Sequence, residues 1–104
     1  MINSIKQLFG LGSKTDYKQL VKEGALILDV RSRGEFESGH IRSSINIPVD
    51  QLQQNLNKLK DKHQPIITCC ASGMRSAAAK RVLLSEGFTK VFNGGGWGSL
   101  QSKL

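Results

Sequence analysis

Cysteine is scarce and oddly placed in this sequence of 104 residues: there are two, Cys69 and Cys70, side by side. A bond between neighbouring cysteines is sterically awkward and closes no useful loop, which excludes a disulfide framework. Stability must come from an ordinary core, and the length suits one domain. Unpaired thiols fit a reducing compartment, so a cytoplasmic location is expected. Histidine is as scarce. His40 and His63 stand apart from each other and from the cysteines, and no metal site is expected. No apolar run reaches membrane-spanning length, and residues 1–11 lack the continuous hydrophobic segment and cleavage site of a secretory signal. No membrane association is expected. Residues 1–14 read as an N-terminal extension, in which Ile2, Ile5, Leu8 and Phe9 can share one face of a short helix.

Acidic residues are also few, 8 against 15 basic, for a net charge of +7. Such a surplus attracts small anions or acidic proteins. Nucleic acid is not the expected partner. The lysines are scattered, and six aromatics are too few to interleave with them as a stacking platform.

What is present alternates between strand and helix. Thr15 precedes an acidic first turn and a helix that Gly24 closes. Ala25–Val30 is a continuous apolar run, the pattern of a strand buried on both faces of a parallel sheet. Arg33–Ser38 suits a helical turn ending at Gly39, and Ser44–Ile47 a strand stopped by Pro48. Asp50 is placed to cap a helix over 51–60, with Leu52, Leu56 and Leu59 on one face. Pro65–Cys69 reads as a second buried strand, Ser76–Glu86 as a helix closed by Gly87, Phe88–Phe92 as a short strand, and Gly94–Gly98 as a turn-rich segment. The pattern predicts an α/β domain with a mostly parallel sheet, which binds ligands beyond the carboxyl ends of its strands.

Cys70 lies at such an end. It is followed by Ala71, Ser72, Gly73, Met74, Arg75 and Ser76, and then by helix-forming residues. A free thiol is about 3% ionised at pH 7, and lowering its pKa by two units needs roughly 2.7 kcal/mol. A helix N-terminus supplies up to about 2 kcal/mol. Each N–H donated to an anion adds roughly 1.5–3 kcal/mol. The loop can therefore make a thiolate without a histidine base. Gly73 permits the positive φ that turns successive N–H groups inward, Ser72 offers a hydroxyl, and Arg75 brings a permanent positive charge. Cys70 is the expected nucleophile, and Cys69, inside the strand, is expected to be inert core.

Three further stretches join this one: Asp29-Val30-Arg31-Ser32 with Glu35-Phe36, then Gly39-His40-Ile41 with Ile45-Asn46-Ile47-Pro48, and finally Gly94-Gly95-Gly96-Trp97. In order and spacing, with the Cys70–Ser76 loop, they resemble the signatures of rhodanese domains. The resemblance covers roughly residues 15–100 and assigns residues 15–104 to one rhodanese-like domain. It implies a mostly parallel five-stranded sheet flanked by helices on both faces. It also implies sulfurtransferase chemistry without cofactor: Cys70 takes a sulfane sulfur from a donor such as thiosulfate, holds it as a persulfide within the loop 71–76, and passes it to a small or protein thiol. The chain departs from the family at Arg42-Ser43-Ser44, where Pro-Gly-Ala is common, and at Trp97, which follows the glycines sooner than usual.

Asp29, Arg31, Glu35 and His40 are expected to form a buried polar network supporting the pocket rim. Two other functions remain open at this point. Cys69 and Arg75 have the Cys-x5-Arg spacing of cysteine-dependent phosphatases and arsenate reductases, and the domain could be a non-catalytic binding module.

Overall fold

The apolar runs at 25–30 and 65–69 form adjacent central strands. A computed structural model describes residues 15–104; the expected N-terminal extension, 1–14, lies outside the described residues. The elements are α1 (Tyr17–Lys22), β1 (Leu26–Asp29), α2 (Arg33–Glu37), β2 (Ile45–Asn46), β3 (Ile66–Cys70), α3 (Met74–Ser85), β4 (Val91–Gly96) and α4 (Trp97–Gln101). The sheet runs β2-β1-β3-β4 and every pairing is parallel. The described residues hold four strands instead of the five the resemblance implied. The sequence itself offers four strand-like runs, and each has become one.

Side chains alternate across the sheet and divide the core into two layers. Leu28, Val30, Ile66 and Cys70 pack with Leu52, Ala79, Leu83 and Phe88 on the α3 side. Ile27, Ile67 and Cys69 pack with Ile41 and Leu100 on the α4 side, where Tyr17 and Leu20 of α1 cover them. The period of two thus sends the neighbouring cysteines to opposite faces.

Several local expectations are corrected. Asp16, not Thr15, caps α1 by accepting from the Gln19 N–H. The helix expected over 51–60 is two short 3₁₀ stretches, Val49–Gln51 and Gln53–Lys58, the second interrupted at Asn55. The Asn55 amide donates to the Gln51 carbonyl at 2.7 Å, a local side-chain bond that competes with helix. Asp50 makes no cap there. Leu52 and Leu59 are nevertheless buried as the pattern required.

The last strand begins three residues later than expected and includes the glycines. Phe88 drops into the core, with its N–H on the Leu83 carbonyl at the end of α3. The glycines extend β4 because the backbone there runs too close to its neighbours for side chains. A Cβ at Gly94 would stand 2.9 Å from the Thr68 carbonyl oxygen and from the Ile67 and Leu100 side chains. One at Gly96 would stand 2.9 Å from the Ala71 carbonyl oxygen.

Candidate active site

Strand β3 ends at Cys70 and α3 starts at Met74, so three residues form the turn between them. Gly73 sits at φ 109°, the left-handed conformation expected of it. That conformation brings the Gly73 N–H to 2.9 Å from Cys70 Sγ, and the first turn of α3 brings the Ser76 N–H to 3.3 Å. Cys70 is 1% exposed. Burial pushes its thiol pKa up, but hydrogen bonds from the Ser76 hydroxyl and from the N–H groups of Ser76, Gly73 and Ser72 outweigh burial, and the net direction is down. The N–H groups of Met74 and Arg75, at the open end of α3, have no acceptor among the described residues. The loop can thus hold a thiolate and accept further negative charge beside it.

A pH titration of Cys70 alkylation follows from this. Reactivity tracks the ionised thiol, and the folded protein favours ionisation. The rate is expected to rise and level off below the midpoint of about 8.5 for a free cysteine. A midpoint above that value contradicts the cradle.

Cys69 is the opposite case. It is 0% exposed, and burial, followed by the charge of Asp29, pushes its pKa up to about 12. It lies in the layer behind the sheet, away from the loop that bonds Cys70, so Cys69 and Arg75 do not share an anion cradle.

The polar residues singled out near β1 divide into three arrangements. Asp29 and Arg31 form a buried pair at the end of β1, 0% and 4% exposed. Arg31 Nε and Nη2 donate to the Asp29 carboxylate at 2.9 and 2.7 Å, and Nη2 also reaches the Gly39 carbonyl at 2.7 Å. The guanidinium lies 4.7 Å from the Trp97 ring centre, which fixes Trp97 as the wall of this pair.

Glu35 is only half-buried, and it pairs with Arg75 beyond the Cys70 turn. Its carboxylate accepts from Arg75 Nη1 at 2.7 Å and Nη2 at 3.0 Å while closing a capping box with Ser32. These bonds, the Arg75 pair foremost, lower its pKa to about 2. The charge expected of Arg75 is therefore neutralised by a carboxylate. His40 is exposed, stacked on Phe36 at 3.7 Å with Nδ1 at 2.7 Å from the Phe36 carbonyl. The expected buried network is thus Asp29 with Arg31 alone. Among the described residues no group of three His, Cys, Asp or Glu side chains is placed to hold a metal ion.

Residues 13–103 match the family described as Rhodanese-like domain. The chain belongs to the rhodanese-like domain family. It is 31% identical over 70 residues to thiosulfate sulfurtransferase PspE of Escherichia coli K12, covering 66% of this chain and 67% of that protein. It is 38% identical over 69 residues to YqhL of Bacillus subtilis 168, covering 66% of this chain but 54% of YqhL. The chain spans about half the length of that relative. Among solved structures it superposes on human single-domain sulfurtransferase TSTD1 with a TM-score of 0.74 at 27% identity, covering 85% of this chain and 91% of that one. An E. coli rhodanese solved with anions gives a TM-score of 0.69 at 28% identity, covering 73% and 91%.

Two features of this rhodanese-like domain escape sequence reasoning. Asn93 Oδ1 accepts from the Ser76 hydroxyl and, at 2.9 Å, from the Gly95 N–H. It ties β4 to the start of α3 beside Cys70. The only sequence signal was an amide next to a glycine run. The second is the contact of Gly96 with the loop. Gly96→Ala is expected to cost about 1–3 kcal/mol or push Ala71 aside, slowing Cys70 alkylation. Unchanged stability with unchanged alkylation would show that the contact is slack. No helix among the described residues is long and apolar enough to cross a membrane.

Proposed function

We propose that this rhodanese-like domain is a sulfurtransferase that carries sulfur as a persulfide on Cys70. One observation carries the reading: a buried sulfur at a strand end that takes the Gly73 and Ser76 N–H groups, with the Met74 and Arg75 N–H groups at the helix start lacking an acceptor among the described residues. The Cys70 thiolate attacks the outer sulfur of a sulfane donor. With thiosulfate, an Sγ–S bond forms, the S–S bond of the donor breaks, and sulfite leaves with the electron pair. The new terminal sulfur is an anion, and the free Met74 and Arg75 N–H groups are the donors available to it. An acceptor thiol then attacks that sulfur, takes it as its own persulfide, and returns Cys70 as the thiolate. Electrons balance in both halves, and neither needs a metal or an organic cofactor.

Thiosulfate-dependent sulfur transfer, to a thiol or to cyanide as a convenient acceptor, tests the reading. Cys69→Ala is expected to retain it within a few-fold, because Cys69 faces the other core layer. Loss of transfer in Cys69→Ala with its fold intact would move the nucleophile to Cys69. Phosphate-ester hydrolysis lost in that same variant would support the Cys-x5-Arg reading. Absence of transfer with every sulfane donor would leave a binding module.

A further inference from the structure

Three acceptors surround one hydrogen. The Ser76 side chain is fully buried beside Cys70, and its hydroxyl has a single hydrogen to donate. Asn93 Oδ1 is its closest partner, the Gly73 carbonyl stands at 3.0 Å, and Cys70 Sγ is the third acceptor within its reach. Asn93 is built to stay where it is. Its Oδ1 accepts from the Gly95 N–H at 2.9 Å, which turns the oxygen of the amide, not its amino group, toward Ser76. Its backbone is held from two sides: it pairs with Thr68 of β3, and its carbonyl accepts from the Tyr17 hydroxyl at 3.1 Å. The amide is therefore fixed, and the hydroxyl is the group that turns. A neutral sulfur is a weak acceptor, so the amide oxygen holds the hydrogen against it. A thiolate is a charged acceptor, and its hydrogen bonds are roughly twice as strong, so it draws the hydrogen over.

We propose that Asn93 is a positioning residue that holds the Ser76 hydroxyl hydrogen away from Cys70 Sγ while the sulfur is neutral and yields it when the sulfur becomes charged. Its part in turnover rests on the persulfide reading of Cys70. Sγ is neutral while it carries the extra sulfur, because the charge sits on the outer atom. When an acceptor thiolate bonds to that outer atom, the Sγ–S bond breaks and Sγ leaves with the electron pair. The Ser76 hydroxyl then turns from Asn93 to the leaving sulfur. No proton is transferred; a hydrogen bond made only as the charge forms favours that step. Asn93 thereby sets how readily Cys70 ionises, and with that its strength as a nucleophile and as a leaving group.

Alkylation of Cys70 as a function of pH tests the assignment without any sulfur transfer. Asn93→Ala removes the competing oxygen and is expected to raise the thiolate fraction, at a pH below the midpoint, by about threefold. Asn93→Asp keeps the shape and an acceptor for the Gly95 N–H, but its carboxylate holds the hydrogen harder and opposes the thiolate. It should lower the fraction by about tenfold. In a Ser76→Ala background Asn93→Ala should change nothing, because its route to the sulfur is gone. The ionisable neighbours of Cys70 are the same in every variant: Arg75 with Glu35 on α3 and α2, Asp29 with Arg31 at the end of β1, and Cys69 in β3. Strand β4 carries no other ionisable side chain. Asn93→Ala should also speed the release of sulfur from loaded Cys70 to a thiol by about twofold, since a more acidic thiol leaves faster. A merely structural Asn93 gives the opposite sign, because a loosened loop brings fewer N–H groups to the sulfur. A lower or unchanged thiolate fraction in Asn93→Ala therefore overturns the proposal, as does the same rise in the Ser76→Ala background. If Asn93→Ala does not fold, Asn93→Asp decides: an unchanged or higher fraction overturns it. A protein that no sulfane donor loads loses the persulfide reading and the release step, while the alkylation profiles still decide the role of Asn93.

Discussion

Cys70→Ser is expected to abolish sulfur transfer, a loss of roughly a thousandfold or more, while the domain stays folded. The reason is chemical and local. An alcohol at this position stays protonated near neutral pH, and it cannot form a sulfur–sulfur bond. The loop has no other nucleophile in position: Ser72 is exposed, and the one hydroxyl hydrogen of Ser76 is taken up by its neighbours Asn93 and Gly73. Cys69 cannot substitute, because it is buried on the far face with its pKa raised to about 12. The fold should survive, since serine offers an acceptor oxygen of similar size to the Gly73 and Ser76 N–H groups. The measurement is donor-dependent transfer beside the thermal midpoint. A Cys70→Ser protein that still turns over would separate the loop from the chemistry.

Arg31→Met is expected to lower stability by about 3–5 kcal/mol. Asp29 is fully buried, and the Arg31 guanidinium is the charge that compensates it. Methionine fills much of the same space yet leaves the carboxylate with only the backbone N–H of residue 31, at 3.0 Å. The Gly39 carbonyl loses its partner and Trp97 the cation against its ring. For a domain of this size each kcal/mol moves the melting point by roughly 4–8 °C, so much of the variant should unfold near physiological temperature. Asp29→Asn with Arg31→Met should recover part of the loss, because the buried charge goes with its partner. Thermal unfolding of both proteins checks this. A shift of only a degree or two in the single variant would mean that water reaches Asp29.

The parallel sheet was legible because strands buried on both faces leave continuous apolar runs, and 25–30 and 65–69 are such runs. The two cysteines part for a reason that strand geometry supplies: alternation sends neighbours to opposite layers, Cys70 to the α3 side and Cys69 to the α4 side. Gly73 announced its positive φ by lacking a side chain. Other features depend on contacts that have no local pattern. The Arg75–Glu35 pair joins residues 40 apart in sequence and cancels a charge that looked free. The glycines at 94–96 looked like a turn; they form strand because Thr68 and Ala71 carbonyls press on the backbone from neighbouring segments. Asn55 broke a helix that leucine spacing favoured, through one bond to its own backbone. His40, expected in a buried polar network, came to rest on the surface against Phe36.

The most direct measurement is mass spectrometry of the intact and digested protein after exposure to a sulfane donor, without acceptor. The account predicts a gain of one sulfur atom, on the peptide containing both cysteines, present in Cys69→Ala, absent in Cys70→Ser, and removed when a thiol or cyanide is added. A sulfur retained in Cys70→Ser, or no adduct from thiosulfate or any organic persulfide, would contradict it.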